Sequence, residues 1–368
     1  MAKAKETVLE IDLNALTHNF EYLKSKLQKN TKFLAVVKAF AYGSDAEQIA
    51  FHLQSLNVDY FAVAYASEGV ALRDAGITKP ILVLHPQPVN FKTIINRCLE
   101  PSLYSTRVLK EFVVCAEKEN QANYPIHIKI NTGLNRLGFC VNDIDYITSQ
   151  LKSSKAIKVV SVFSHLAASE DLNEKTFTLK QISSFKNISR KLFEALNYKP
   201  MLHISNTSGI LNYPKAHFDM VRSGIGLYGF GNSANENKNL KPIATLKSII
   251  SQIHLIKKGE TVGYNRAYKS DVLKKTATIP IGHADGIGRH YGNGKGFVFI
   301  KGEKATIIGN VCMDMIMVDV THIDCYEGDE VIIFNKQFTA ENFAETANTI
   351  SYEIITSISK RIKREIIK

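Results

Sequence analysis

The sequence predicts an α/β protein: a closed barrel of eight parallel strands with helices between them, followed by a second, mostly-β domain. Two features carry the expectation. Short β-rich segments alternate with helical stretches through the first two-thirds of the chain, which is the rhythm of βα units on a parallel sheet. From about residue 240 the texture changes to closely spaced strands separated by Gly-rich turns, as a separate β domain would read.

In chain order, the first helix candidate is LNALTHNFEYLKSKL. The strand candidates that follow are KFLAVVKA, YFAVAYA, PILVLHP, EPSLYS, IHIKIN, KVVSVFSH, MLHISN and DMVRSG. Eight such units within about 230 residues fit a TIM-type (β/α)8 barrel, with a doubly wound open sheet as the alternative. The barrel is expected over residues 1–239 and the β domain over 240–368. Strands of the second domain are read in LKSIISQIHLIKKGETVGY, TATIPIGHADG, GFVFIKGEKATIIGN and DEVIIF. The last stretch, TAENFAETANTISYEIITSISKRIKREI, has a helical pattern, with Thr339 placed as N-cap and Asn342 three residues on.

At 368 residues the chain can bury a large core, and two domains are the natural count. A composition of 45% hydrophobic and 22% charged residues suits a water-soluble globular protein, and no apolar run reaches membrane-spanning length. The start MAKAKETVLEIDLNALTHNF lacks the apolar core of a secretion signal, so a cytoplasmic location is expected. Cys98, Cys115, Cys140, Cys312 and Cys325 show no C-x-x-C spacing and read as free thiols. The formal charge is +11, but the basic residues are scattered. The densest group, SKRIKREIIK, spaces its charges between isoleucines as a surface helix does, and no nucleic-acid reading motif accompanies it. His283, Asp285 and His290 form no metal-ligand pattern, so no metal is expected.

The chemistry begins at Lys38. If KFLAVVKA is a strand throughout, Lys38 shares a face with Leu34 and Val36. Burial there lowers the amine's pKa and makes a nucleophile able to condense with an aldehyde; the alternative is a lysine at a strand end reaching solvent. In a TIM barrel the loops after strands seven and eight often hold a phosphate. Here they read SNTSG (205–209) and RSGIG (222–226), small residues whose N–H groups can approach an anion, or ordinary tight turns. An aldehyde-reactive lysine beside a phosphate site suggests pyridoxal phosphate.

These motifs resemble those of the alanine racemases, over nearly the whole chain. AVVKAFAYG resembles the segment carrying the cofactor lysine, which implies that Lys38 bonds the cofactor and serves as one catalytic base. KINTGLNRLG implies Lys129 as a carbamylation candidate and Arg136 as a ligand of the cofactor phenolic oxygen and the substrate carboxylate. FSHLA implies His165, HISNTS implies Asn206 and Thr207, and VRSGIGLYG implies Arg222 at the pyridine nitrogen with Gly224 and Ile225 on the phosphate. Tyr42 and Tyr352 would complete the phosphate cradle. GYNRAY implies Tyr264 as the second base, and CMD implies a Met313 N–H on the substrate carboxylate beside Cys312 and Asp314.

Racemisation takes the α-hydrogen from one face and returns one to the other, so two acid–base groups must flank the carbon. The resemblance assigns Lys38 and Tyr264 to opposite faces. An arginine at the ring nitrogen would keep that nitrogen unprotonated, since adjacent cations repel. The resemblance further implies a head-to-tail homodimer in which each barrel mouth is closed by the other copy's β domain, and D-alanine supply for peptidoglycan. Two positions depart from the family pattern: His283 stands where a tyrosine at the substrate entrance is usual, and Asn131 where aspartate is usual. Competing readings are a broad-specificity racemase, a barrel-type amino-acid decarboxylase, and a non-catalytic pyridoxal-phosphate barrel. About 130 residues beyond the barrel, bearing Tyr264 and CMD, argue against the last.

Overall fold

A computed structural model describes residues 4–368. Strand β1 (Val8–Asp12) runs into helix Leu13–Ser25. Asp12 caps that helix by accepting from the Ala15 N–H at 2.9 Å, covering one of the donors left open at a helix start. Eight strands follow: β2 (Lys32–Val36), β3 (Tyr60–Val63), β4 (Ile81–Val83), β5 (Glu100–Leu103), β6 (Tyr124–Lys129), β7 (Ile157–Phe163), β8 (Met201–His203) and β9 (Met220–Ser223). Each falls on one of the eight candidate segments. They pair in parallel throughout, in the order β8-β7-β6-β5-β4-β3-β2-β9. The ring closes between β8 and β9 through Asp219 N–H to Leu202 O at 3.1 Å and Arg222 N–H to Ser205 O at 3.0 Å. This is the (β/α)8 barrel, and all eight C-terminal strand ends meet at one rim.

The second sheet contains β10 (Ala244–Ile249), β11 (Gln252–Ile256), β14 (Lys274–Ile279), β15 (Phe297–Ile300), β16 (Glu303–Ile308), β17 (Ile316–Asp319), β18 (Glu330–Phe334) and β19 (Lys363–Ile367), while β12 (Thr261–Val262) and β13 (Tyr268–Lys269) form a separate ribbon. Its ninth strand is β1, antiparallel to β10 and parallel to β19. The chain's start therefore enters the sheet built from its end. Lys247 on β10 and Glu10 on β1, both buried, pair across this junction at 2.8 Å.

The tail SKRIKREIIK departs from expectation: it carries strand β19, not a surface helix. The helical stretch is two short helices, Ala340–Glu345 and Ser351–Ser357, and the backbone turns extended at Ile358. Pairing to β1 gives the tail a full ladder on one side, while its lysine and arginine side chains suit an outermost strand. Thr339 and Asn342 do form the expected cap, each side chain accepting the other's N–H, at 3.3 and 3.1 Å.

Candidate active site

A cavity of about 620 Å³ opens at the C-terminal rim. Its lining includes every site residue expected on the barrel, Lys38, Tyr42, Lys129, Arg136, His165, Asn206, Thr207, Arg222, Gly224 and Ile225, together with Tyr352 from the last helix, Ser351–Ser357.

Lys38 is not presented by strand alternation. Strand β2 ends at Val36, and the chain then turns left-handed, with φ of 53°, 55°, 50° and 53° at Ala39, Phe40, Ala41 and Tyr42 before Gly43 at 80°. Left-handed backbone costs roughly 1–2 kcal/mol for each residue with a Cβ, so the turn must be held from outside. At its start the Glu68 carboxylate accepts from the Ala39 N–H at 2.6 Å and, on its other oxygen, from Ala64 and Tyr65 at 2.7 and 3.0 Å. At its end the Arg364 guanidinium donates to the carbonyls of Gly43 and Ser44 at 2.8 and 3.1 Å. Neither clamp has a signal in the sequence. Burial lowers the Lys38 pKa, the nearby Arg136 charge lowers it further, and Glu68 partly opposes them.

The opposite wall suits a phosphate. A Cβ on Gly224 would lie 2.2 Å from the Tyr42 hydroxyl, so only glycine lets backbone and phenol share this corner. Tyr42 stacks on Tyr228 at 4.5 Å, and the Tyr352 hydroxyl donates to Asn232 at 3.2 Å. Burial raises the pKa of Tyr42 and takes that of Tyr352 to about 12, so both remain neutral donors at neutral pH. Thr207 accepts the Gly226 N–H at 3.3 Å and meets Ser223 at 3.1 Å. Asn206 is spent on the loop itself, its oxygen accepting from Gly209 N–H and Ser169 Oγ, each at 2.8 Å.

Between these walls the cavity is cationic. Burial, then Arg136, Arg222 and Lys38, bring the Lys129 pKa down to about 8. Among the described residues, no ion pair or hydrogen bond is found for the side chains of Lys38, Lys129 or Arg136. Asn131 adds no charge; its oxygen accepts from the N–H groups of Gly133 and Asn135, both at 3.1 Å, and shapes the loop that carries Arg136. Arg222 is buried and donates to the Ser164 carbonyl at 2.7 Å and to Nδ1 of His165 at 3.1 Å. Burial and the Arg222 charge hold His165 well below the usual imidazole range, so it is a neutral acceptor.

Apart from Tyr352, the residues expected from the second domain are elsewhere. Tyr264, 74% exposed, and Met313, 59% exposed, do not line the cavity, nor do Cys312, Asp314 or His283. They do cluster with one another. Asn310 donates to the Tyr264 carbonyl at 3.1 Å, and the carbonyls of Cys312 and Met313 accept from His283 and Ala284 at 2.9 and 3.0 Å. Arg361 joins the two loops, donating to Asp285 at 2.6 and 2.9 Å and to Asp314 at 2.6 Å. The cavity on the barrel and the cluster around Tyr264 are thus separate places on one chain.

An electron-poor cavity with a reactive amine at one end and a glycine-lined phosphate corner at the other fits pyridoxal phosphate. Comparison with known proteins agrees. Residues 11–231 match the alanine racemase N-terminal domain and residues 243–366 the alanine racemase C-terminal domain. The chain is 39% identical to the alanine racemase of Clostridium perfringens (strain SM101 / Type A) over 366 residues, covering 96% of this chain and 94% of that one. It is similar to the solved alanine racemase of Clostridium difficile 630, with a TM-score of 0.92 at 34% identity over 100% of this chain and 97% of that one. The alanine racemase of Bartonella henselae, solved with covalently bound pyridoxal phosphate, gives a TM-score of 0.88 at 29% identity over 99% of this chain and 100% of that one. With both domains matched along nearly their whole length, and the cavity where the motifs require it, this chain belongs to the alanine racemase family.

Proposed function

We propose that this chain interconverts L- and D-alanine with pyridoxal phosphate, in sites built from two copies of itself. The observation that carries the two-copy form is the split geometry: Lys38 lines the cavity, whereas Tyr264 stands 74% exposed outside it. When bound, pyridoxal phosphate withdraws electrons from the alanine α-carbon and so acidifies its hydrogen.

The remaining work belongs to protein groups. Tyr42, Tyr352, Thr207 and the backbone at Gly224 and Ile225 hold the phosphate, with Asn206 shaping the loop beneath it. Arg222 would face the ring nitrogen as a cation backed by His165, which would keep that nitrogen unprotonated and limit electron withdrawal. Arg136 binds the phenolic oxygen and the substrate carboxylate. Lys129, partly neutral near pH 8, can add carbon dioxide and release a proton, and the carbamate then neutralises Arg136. Lys38 Nζ exchanges the α-hydrogen on one face, its lowered pKa favouring the neutral amine that can accept it. The Tyr264 hydroxyl of a second copy does so on the other face, beside the Met313 N–H, Cys312, Asp314 and His283 of that copy.

In this reading residues 1–239 form the cofactor domain and 240–368 the domain that closes another barrel. The fold gives no reason to place the chain in a membrane: among the described residues, no helix is long and apolar enough to cross one. We assign it to the cytoplasm as a homodimer supplying D-alanine for peptidoglycan, with no nucleic-acid partner. Incubation of the purified protein with L-alanine and pyridoxal phosphate, followed by chiral separation, should show approach to an equal mixture of enantiomers. Product that stays enantiomerically pure would overturn the assignment.

A further inference from the structure

Five consecutive barrel strands each contribute one polar side chain to a single buried chain of hydrogen bonds. Glu100 on β5 meets His127 Nε2 on β6 at 2.7 Å, His127 Nδ1 meets Ser161 Oγ on β7 at 2.5 Å, Ser161 Oγ meets His203 Nε2 on β8 at 2.9 Å, and His203 Nδ1 meets Arg222 on β9 at 2.6 Å. His127, Ser161 and His203 are fully buried. Barrel interiors are ordinarily filled by branched apolar side chains, and buried polar groups are costly unless every partner is supplied. Of the four residues beyond Arg222, Glu100, His127 and Ser161 lie outside the motifs of the cofactor site, and His203 opens HISNTS without having been given a role there.

The proton positions along the chain follow from the donor inventory. A guanidinium only donates, so His203 Nδ1 accepts and its hydrogen resides on Nε2. Ser161 accepts that hydrogen and passes its own to His127 Nδ1. His127 therefore carries its hydrogen on Nε2 and donates it to Glu100. With both rings neutral one arrangement satisfies all four links; a second proton on His203 breaks its bond to Arg222, whereas one on His127 keeps the links but makes Glu100 the counter-charge of His127 instead of Arg222. Burial and the Arg222 charge push His203 well below the usual imidazole range, in keeping with a neutral ring. Burial, with the Glu100 carboxylate nearby, raises the Tyr60 pKa, so a neutral phenol stands beside the carboxylate end of the chain.

Arg222 is buried, and among the described residues no carboxylate pairs with it. A buried cation without a counter-charge is strongly unfavourable. The relay runs from this cation to a carboxylate, with every intervening dipole aligned between the two charges, an arrangement in which hydrogen bonds polarise one another. We propose that Glu100, acting through His127, Ser161 and His203, is the counter-charge and positioning system of Arg222, keeping its guanidinium protonated and aimed at the cavity. The proposal rests on the reading of Arg222 as the group facing the cofactor ring.

The unliganded full chain, labelled with ¹⁵N-histidine, tests the relay without cofactor. His127 and His203 should both appear by NMR as neutral Nε2–H tautomers; an imidazolium or an Nδ1–H tautomer at either would overturn it. In the holoenzyme, Glu100→Gln keeps an acceptor for His127 but removes the charge, while Ser161→Ala cuts the chain and leaves both charges in place. Each should shift the visible band of bound pyridoxal phosphate and lower kcat about three- to tenfold with the alanine KM within about twofold, and the double variant should be no worse than the worse single one. Multiplying effects, or a change confined to KM, would mean the two residues act independently and would overturn the coupling. Should Glu100→Gln fail to fold, Ser161→Ala and the NMR of the unaltered chain still decide. The reading of Arg222 fails separately: Arg222→Lys with an unshifted band would remove the ring contact whatever tautomers the histidines show.

Discussion

Lys38 and Lys129 occupy one cavity and invite different tests. For Lys38 the expected outcome of Lys38→Ala is a colourless protein, no borohydride-trapped cofactor, and racemisation reduced at least about a thousandfold, since a positioned base contributes on that scale. A trapped adduct in Lys38→Ala would move the attachment point to another lysine. Lys129 bears on stability. Its folded pKa of about 8 lies below the ordinary lysine value of about 10.4, so the unfolded chain holds the proton more tightly. The penalty is therefore fully present below about pH 8 and fades as pH rises through the interval between the two values. Lys129→Met in carbon-dioxide-free buffer should accordingly be more stable than the parent at pH 7, by on the order of 2–3 kcal/mol, with the gap closing by about pH 10.5 and activity lowered. Denaturant midpoints across that range check it. A constant gap would place the effect in packing instead of charge. Of these residues, Lys38 was legible as a lysine with a lowered pKa, but for a reason the backbone revises: a left-handed turn aims it into the cavity, whereas alternation along a strand would have required β2 to continue past Val36.

Local backbone signals were uneven guides to the elements. The eight barrel strands are legible because β-branched and aromatic runs bounded by helical stretches report local preference, and burial on both faces makes such runs continuous. Strands β1 and β19 were not, because VLEID and KREII carry mixed signals and become strands by pairing with each other across more than 350 residues of chain. The turn behind Lys38 depends in the same way on Glu68 and Arg364, which no local rule connects to it. Gly43 ends that turn at φ 80°, where a Cβ would sit 1.8 Å from the Ile355 carbonyl oxygen, whereas Gly259 at φ 88° has nothing within 4 Å. Gly259→Ala should cost only the left-handed backbone term of about 1 kcal/mol, and Gly43→Ala at least twice that, with weaker pyridoxal phosphate binding. Equal shifts in denaturation midpoint for the two would show that the turn yields without strain.

For the whole molecule, the decisive fact is that the barrel cavity and the exposed cluster around Tyr264 do not meet within one chain. Lys38→Ala and Tyr264→Phe, each inactive alone, can be unfolded together, refolded and assayed. With random pairing half of the dimers are mixed, and each mixed dimer has one site with both residues intact, so activity should return to roughly a quarter of wild type. If both residues served within one chain, every site would carry a lesion and nothing would return. Absence of recovery, with subunit mixing demonstrated by mass, would sink the shared site.

Sequence by itself determined the barrel, its β partner domain, the family, and the barrel residues that line the cavity, because these depend on local propensity and on short motifs whose spacing survives without coordinates. Tertiary structure alone decided how those residues are aimed and charged. The left-handed turn, the Glu68 and Arg364 clamps, the entry of β1 into the C-terminal sheet, and the relay from Glu100 to Arg222 all join residues distant in sequence. Their stability comes from contacts and burial that exist only once the chain has closed on itself, which is why no window of neighbouring residues records them.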